Sequence, residues 1–209
     1  AGIKPADLIF IHPVCPPNVS YNDPSYVNED DLIIRFKSSP DDQITVKDYF
    51  RSYYGIDQAN NHAIERIEFT DSKAVLTGKD IITQARIRHG TAKDDNIYGL
   101  ADNGNDTIIG GKGNDYLQGG HGNDTYIFSK GDGKDTIYDE DSTEGNLDTI
   151  RFGAGIKPAD LIFIHPVCPP NVSYNDPGYV DENDLIIRFK NNPDDQITVE
   201  NYFRNYRGI

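Results

Sequence analysis

Methionine and tryptophan are absent from this 209-residue sequence, cysteine occurs only twice, and positive charge is scarce: 20 Lys and Arg stand against 34 Asp and Glu, a formal net charge of −14. An acidic chain of this kind repels phosphate backbones and anionic lipid headgroups, which argues against nucleic acid as a partner. No apolar run approaches the roughly twenty residues that a membrane-spanning helix needs, so no membrane span is expected. The sequence also lacks the metalloprotease, nucleophile-elbow and Walker signatures. The histidines at 12, 62, 89, 121 and 165 have no metal-ligand spacing, so they read as loop or surface residues and the chain as a non-enzyme. With 36% hydrophobic residues it can bury a core, divided among modules.

What is abundant is glycine and aspartate in a fixed phase. From Gly104 to Asp124 an aspartate follows a glycine turn every nine residues, at Asp106, Asp115 and Asp124. Two stretches, Gly110 to Gln118 and Gly119 to Ile127, fit the pattern Gly-Gly-x-Gly-x-Asp-x-apolar-x throughout. The glycines allow tight turns with positive φ that expose main-chain carbonyl oxygens, and the sixth-place aspartate adds a charged oxygen to the same turn. Each turn is half of a calcium site, because Ca²⁺ takes six to eight oxygen ligands and two stacked turns together surround it. Candidate ligands are therefore Asp95; Asn103, Gly104, Asn105 and Asp106; Gly111, Lys112, Gly113, Asn114 and Asp115; Gly120, His121, Gly122, Asn123 and Asp124; and Gly131, Gly133 and Asp135. The closing triplet of each repeat is a short strand with an inward apolar residue, at Ile97, Ile108, Leu117, Tyr126, Ile137 and Ile150. Two nonapeptides make one turn of a parallel β-roll, so repeats n and n+2 stack: Asp95 faces Asp115, and Asp106 faces Asp124. The looser repeats ending at Asp135 and Asp148, spaced eleven and thirteen residues on, look like the exit of the coil. Between His89 and Asp148 thirteen Asp and Glu face four Lys, a density that should leave the coil loose without a cation and make metal binding a source of folding free energy.

A long duplication frames this coil. Residues 1–56 recur at 154–209 with only nine differences. Short apolar runs at Leu8–Ile11, Leu32–Phe36 and Gln43–Val46, set between Pro, Asn and Asp clusters, read as strands, and Ile64–Phe69 as another. Thr77-Gly78-Lys79-Asp80 has the outline of a capping box, placing a short helix through Ile81, Ile82 and Ala85. The proline-rich stretch 12–30 reads as a loop. The expected organisation is a β-rich module over 1–88, a roll over 89–153 and a second, truncated β-rich module over 154–209, an all-β architecture with one short helix. The truncated copy either folds alone or completes the edge left by the preceding roll. A sequence that opens and stops mid-pattern is most simply a piece of a longer tandem array, whose neighbouring units are then partners.

The nonapeptides resemble the hemolysin-type, or RTX, repeat. The strings Gly145–Phe152, Gly155–Leu161, Asp184–Phe189 and Ile197–Phe203 resemble the module that follows RTX repeats in hemolysin-type calcium-binding proteins, closest to the carboxy-terminal arrays of FrpC-like and Apx-like exoproteins. The resemblance implies export of an unfolded chain by a type I secretion apparatus of a Gram-negative bacterium, then folding in extracellular calcium, with sites of roughly 10⁻⁴–10⁻³ M affinity. Cys15 and Cys168, one per copy, depart from the cysteine-poor habit of such substrates. They read as small half-buried hydrophobes, with a bridge between them left open by spacing alone. Two other functions are implied less directly. One is calcium-dependent adhesion to a host cell surface through Tyr21, Tyr26, Tyr49, Tyr53 and Tyr54, residues that serve equally as β-sheet core. The other is calcium-dependent self-cleavage at Asp23-Pro24 or Asp176-Pro177, a dipeptide that is also an ordinary turn.

Overall fold

The computed structural model describes residues 2–15, 19–20, 22–23, 26–50, 64–100, 102–141, 145–174 and 179–204. The first apolar runs form an antiparallel meander of β1 (Leu8–Ile11), β2 (Leu32–Phe36) and β3 (Ser39–Val46). Alternation puts Leu8, Phe10, Leu32 and Ile34 on one face, where they are buried together with Tyr49 and Phe50. Tyr49 is thus a core residue and not part of a sugar platform, while Tyr21, Tyr53 and Tyr54 and both prolines of the Asp-Pro pairs lie outside the described residues.

The chain then makes a short antiparallel pair, β4 (Arg66–Glu68) and β5 (Val75–Thr77), briefer than the six-residue strand expected from Ile64 to Phe69. Helix α1 (Gly78–Ala85) starts at the anticipated capping box: Thr77 Oγ1 accepts from the Asp80 amide and Asp80 Oδ2 accepts from the Thr77 amide at 2.8 Å. Ile81 and Ala85, one helical turn apart, are fully buried against Phe69 and Leu100 and close the core over the first meander.

Seven short strands follow: β6 (Ile87–His89), β7 (Asn96–Tyr98), β8 (Thr107–Ile109), β9 (Tyr116–Gln118), β10 (Thr125–Phe128), β11 (Lys134–Ile137) and β12 (Thr149–Phe152). They alternate between two parallel ladders, β6-β8-β10-β12 and β7-β9-β11, so that each strand pairs with the next but one. This is a parallel β-roll of about three turns. Ile97, Leu117 and Ile137 stack in register from one ladder, Ile108 and Tyr126 from the other, and all five are nearly inaccessible to solvent. A three-residue strand has no stability alone, but each inward side chain contributes roughly 1.5–3 kcal/mol by leaving water, which accumulates along the stack.

The repeated block forms the same meander again, β13 (Leu161–Ile164), β14 (Leu185–Phe189) and β15 (Asn192–Val199). Its outer strand does more than close the meander. β15 pairs parallel with β11, Asp135 opposite Ile197 and Ile137 opposite Val199, giving one six-stranded sheet β13-β14-β15-β11-β9-β7. The roll core runs on into Ile187, Phe189 and Ile197, with Phe189 stacked on Phe128 at 5.2 Å. Of the two fates open to the second copy, completing the edge of the roll is the one observed.

Candidate metal centres

The turns between rungs bring the repeat aspartates into two columns. Asp95, Asp115 and Asp135 line one, and Asp106, Asp124 and Asp148 the other, because the strands that follow them are paired in register. Along each column one carboxylate oxygen braces the rung before it. Asp115 Oδ1 accepts the Asp95 amide at 2.8 Å, Asp135 Oδ1 the Asp115 amide at 3.1 Å, Asp124 Oδ1 the Asp106 amide at 2.7 Å and Asp148 Oδ1 the Asp124 amide at 2.9 Å. The remaining oxygens behave differently. Asp95 Oδ1, Asp106 Oδ1, Asp115 Oδ2 and Asp124 Oδ2 are buried with no hydrogen-bond partner.

A buried anionic oxygen without a donor costs several kcal/mol unless a cation or a proton meets it. Burial accordingly raises the carboxyls of Asp106 and Asp135 to about 7 and those of Asp115 and Asp139 to about 6, with neighbouring aspartates pushing in the same direction; Asp124 is also raised, first by burial. Main-chain oxygens complete the arrangement. A Cβ at Gly113, where φ is +135°, would lie 2.5 Å from the Lys93 carbonyl oxygen, and one at Gly122, where φ is +119°, 2.6 Å from that of Gly104. Only glycine permits these turns to stack so closely. The asparagine side chains hold turns together: Asn105 Oδ1 accepts from the Asn123 amide, Asn114 Oδ1 from the Lys134 amide and Asn123 Oδ1 from the Leu147 amide. The Asn103, Gly111, Lys112 and Gly120 positions lie in the same turns, and the side chain of His121 is exposed, its Nδ1 3.2 Å from Asp141 Oδ1.

Both ends of the columns carry residues that the nine-residue period does not mark. At the entrance Arg86 stands where the rung of β6 would have its aspartate. Its guanidinium forks onto Asp102, lies 3.5 Å from Asp106 Oδ2 and fills the space above Gly104. Arg88, one rung position on, points inward and is buried, with Nη2 donating to the Pro13 carbonyl. At one exit, carboxylate oxygens of Asp124, Asp139 and Asp148 lie within 4.8 Å of one another. Tyr126 donates to Asp139 Oδ2, and Asn146 donates to Asp148 Oδ2 while its own Oδ1 is buried and unpartnered. At the other, Asp195 of the second block accepts from the Gly131 amide at 2.8 Å and the Gly133 amide at 3.3 Å. Asp148 was legible as a stretched repeat; Asp139 and Asp195 carry no repeat signal, being placed by pairing across distant segments.

His12 is a loop residue, as expected, but a half-buried one: its ring lies 4.1 Å from that of Phe50, and burial, then the Arg88 charge, lowers it to about 2. His165, the equivalent residue, stacks on Phe203. Cys15 and Cys168 are both partly buried free thiols.

A glycine-turned parallel coil with orphaned carboxylate oxygens in stacked columns defines a cation-binding β-roll, and the oxygen-only chemistry suits a hard divalent ion. Residues 100–134 match the RTX calcium-binding nonapeptide repeat, in four copies, and residues 31–74 match the haemolysin-type calcium binding protein related domain. The iron-regulated protein FrpA of Neisseria meningitidis serogroup C is 41% identical over 81 residues, 39% of this chain and 6% of that relative. Residues 100–134 are thus RTX repeats of the calcium-binding, hemolysin type. The chain spans a small fraction of the length of the relative it matches.

Proposed function

We propose that the chain is a calcium-folded structural unit of a larger secreted exoprotein, exported unfolded by a type I apparatus and ordered by extracellular calcium, with no catalytic role of its own. The observation that carries this reading is the ladder of buried aspartates in which Asp95, Asp106, Asp115 and Asp124 each keep one oxygen without a donor. Calcium would be held between stacked turns: by Asp95 and Asp115 with the carbonyls of 91–93 and 111–114, by Asp115 and Asp135 with those of 111–114 and 131–133, by Asp106 and Asp124 with those of 103–105 and 120–123, and by Asp124, Asp139 and Asp148 at the exit. The metal supplies positive charge that the fold provides only through Arg86 at the entrance of one column, so its binding free energy becomes folding free energy. The β-rich modules, 1–88 and 154–209, act as connectors on either side of the roll at 89–153.

The decisive test is far-UV circular dichroism during calcium titration, with magnesium as control and a combined Asp106→Ala, Asp115→Ala, Asp124→Ala variant beside it. A cooperative gain of β signal that calcium alone produces and the variant lacks is expected. A chain fully folded in chelator would reduce the coil to a constitutive scaffold.

A further inference from the structure

The two copies of the block are nearly the same sequence in opposite surroundings, and each therefore shows what the other lacks. Ile197 is 1% exposed because β15 continues the roll, whereas its counterpart Ile44 on β3 is 51% exposed. Asp195 is buried on the Gly131 and Gly133 amides, whereas its counterpart Asp42 is exposed. Among the described residues the outer edge of β3 has no strand beside it. At the other end of the same cross-strand row, on β1, the pattern is reversed. Phe10 is 5% exposed beneath Phe69, Ile81 and Leu100, while Phe163, its equivalent, is 61% exposed. None of these residues differs between the copies. One face of the block is thus covered from two ends, from the third strand by a roll before it and from the first strand by the segment after it.

Beside the free edge lies an apolar cavity of about 420 Å³ lined by Ile34, Phe36, Ile44 and Val46 and, across it, Ile67 and Phe69. In the second copy Phe189, the counterpart of Phe36, lies against Phe128 of the roll. We propose that the β3 edge is the docking site for the closing rung of a further RTX roll, a strand of the Lys134–Ile137 kind, with Ile44 and Phe36 buried by it and Asp42 accepting its glycine amides. Successive units then share one continuous sheet across each junction and form a filament, in which every block caps the roll before it. The proposal rests on the reading of the chain as a calcium-folded unit.

The test places a second copy of residues 89–153 ahead of Ala1 in the full chain, recreating the junction between Gly153 and Ala154. Gln196 donates its amide to the Gly133 carbonyl at 2.9 Å, so the informative probe is the equivalent amide of Gln43. In calcium its hydrogen exchange is expected to slow by about 100-fold or more relative to the 209-residue chain. Ile44→Lys should abolish that protection in the extended chain and leave the melting temperature of the original chain unchanged. Unaltered exchange at Gln43 overturns the proposal whether or not the added roll takes up calcium, since an edge that completes a roll must also help it form. Calcium uptake by the original chain, read in the same titration, separates this failure from failure of the calcium reading itself.

Discussion

Asp115 carries two duties that substitution can pull apart. Its Oδ1 holds the Asp95 amide, and its Oδ2 is buried without a donor. Asp115→Asn keeps the volume and one acceptor while removing the charge, so it should weaken calcium by tenfold or more, about 1.4 kcal/mol, in a calorimetric titration. Asp115→Ala also strands the Asp95 amide and should cost about 1–3 kcal/mol more in thermal stability. An Asn variant that binds like the parent would remove Asp115 from the ligand set. Protons compete for the same oxygens. Folded carboxyls at about 7 for Asp106 and Asp135 lie above an unfolded value near 3.9, so the metal-free roll binds more protons than the unfolded chain between about pH 4 and pH 7. Its stability is therefore greatest at the acid end of that window and falls as pH rises through it. Melting of metal-free protein should move to higher temperature from pH 7.5 down to pH 5, while calcium affinity falls over the same range. A pH-independent metal-free melt would show that these carboxyls are hydrated. The nine-residue period made Asp106, Asp115 and Asp124 legible in advance. It could not show Asp139 or Asp195, or Arg86 in an aspartate's place, because those positions are fixed by stacking and not by spacing.

Among the elements, the rungs were readable because each couples one inward apolar residue to the preceding aspartate, and α1 because Thr77 and Asp80 announce its start. The addition of β15 to β11 was open in the sequence, since Asn192–Val199 contains no nonapeptide and its partner lies some sixty residues earlier. The strand Ile64–Phe69 was overextended because apolar content alone does not say where a ladder partner ends; β5 offers only three residues to pair with. The duplicated positions supply an internal control for the packing that results. Ile197→Ala should destabilise by about 2–4 kcal/mol, as removal of a buried methylene cluster does, whereas Ile44→Ala should stay within about 0.5 kcal/mol. Calcium-saturated denaturant unfolding of the two variants makes the comparison. Equal losses would mean that the β3 edge is already covered in solution.

For the molecule as a whole, the −14 charge is concentrated where the two carboxylate columns run, and the two blocks are tied to those columns unequally. The second block shares a sheet and the Phe128–Phe189 stack with the roll, so its order depends on the coil being closed. The first block keeps a core of its own in which Leu32 and Ile81 are fully inaccessible and α1 is capped. Removing calcium should therefore not unfold two nearly identical sequences together. Hydrogen exchange in chelator should release the amides of β13–β15 along with β7–β11, while those of β2 and α1 stay protected longer, because local stability follows the contacts that survive. Simultaneous release of both copies would place the coupling elsewhere, in the buried cluster where Arg88 meets the Pro13 carbonyl and His12 rests on Phe50. In that case the first block would report the state of the roll as faithfully as the second, and calcium would govern the order of a unit from both of its ends.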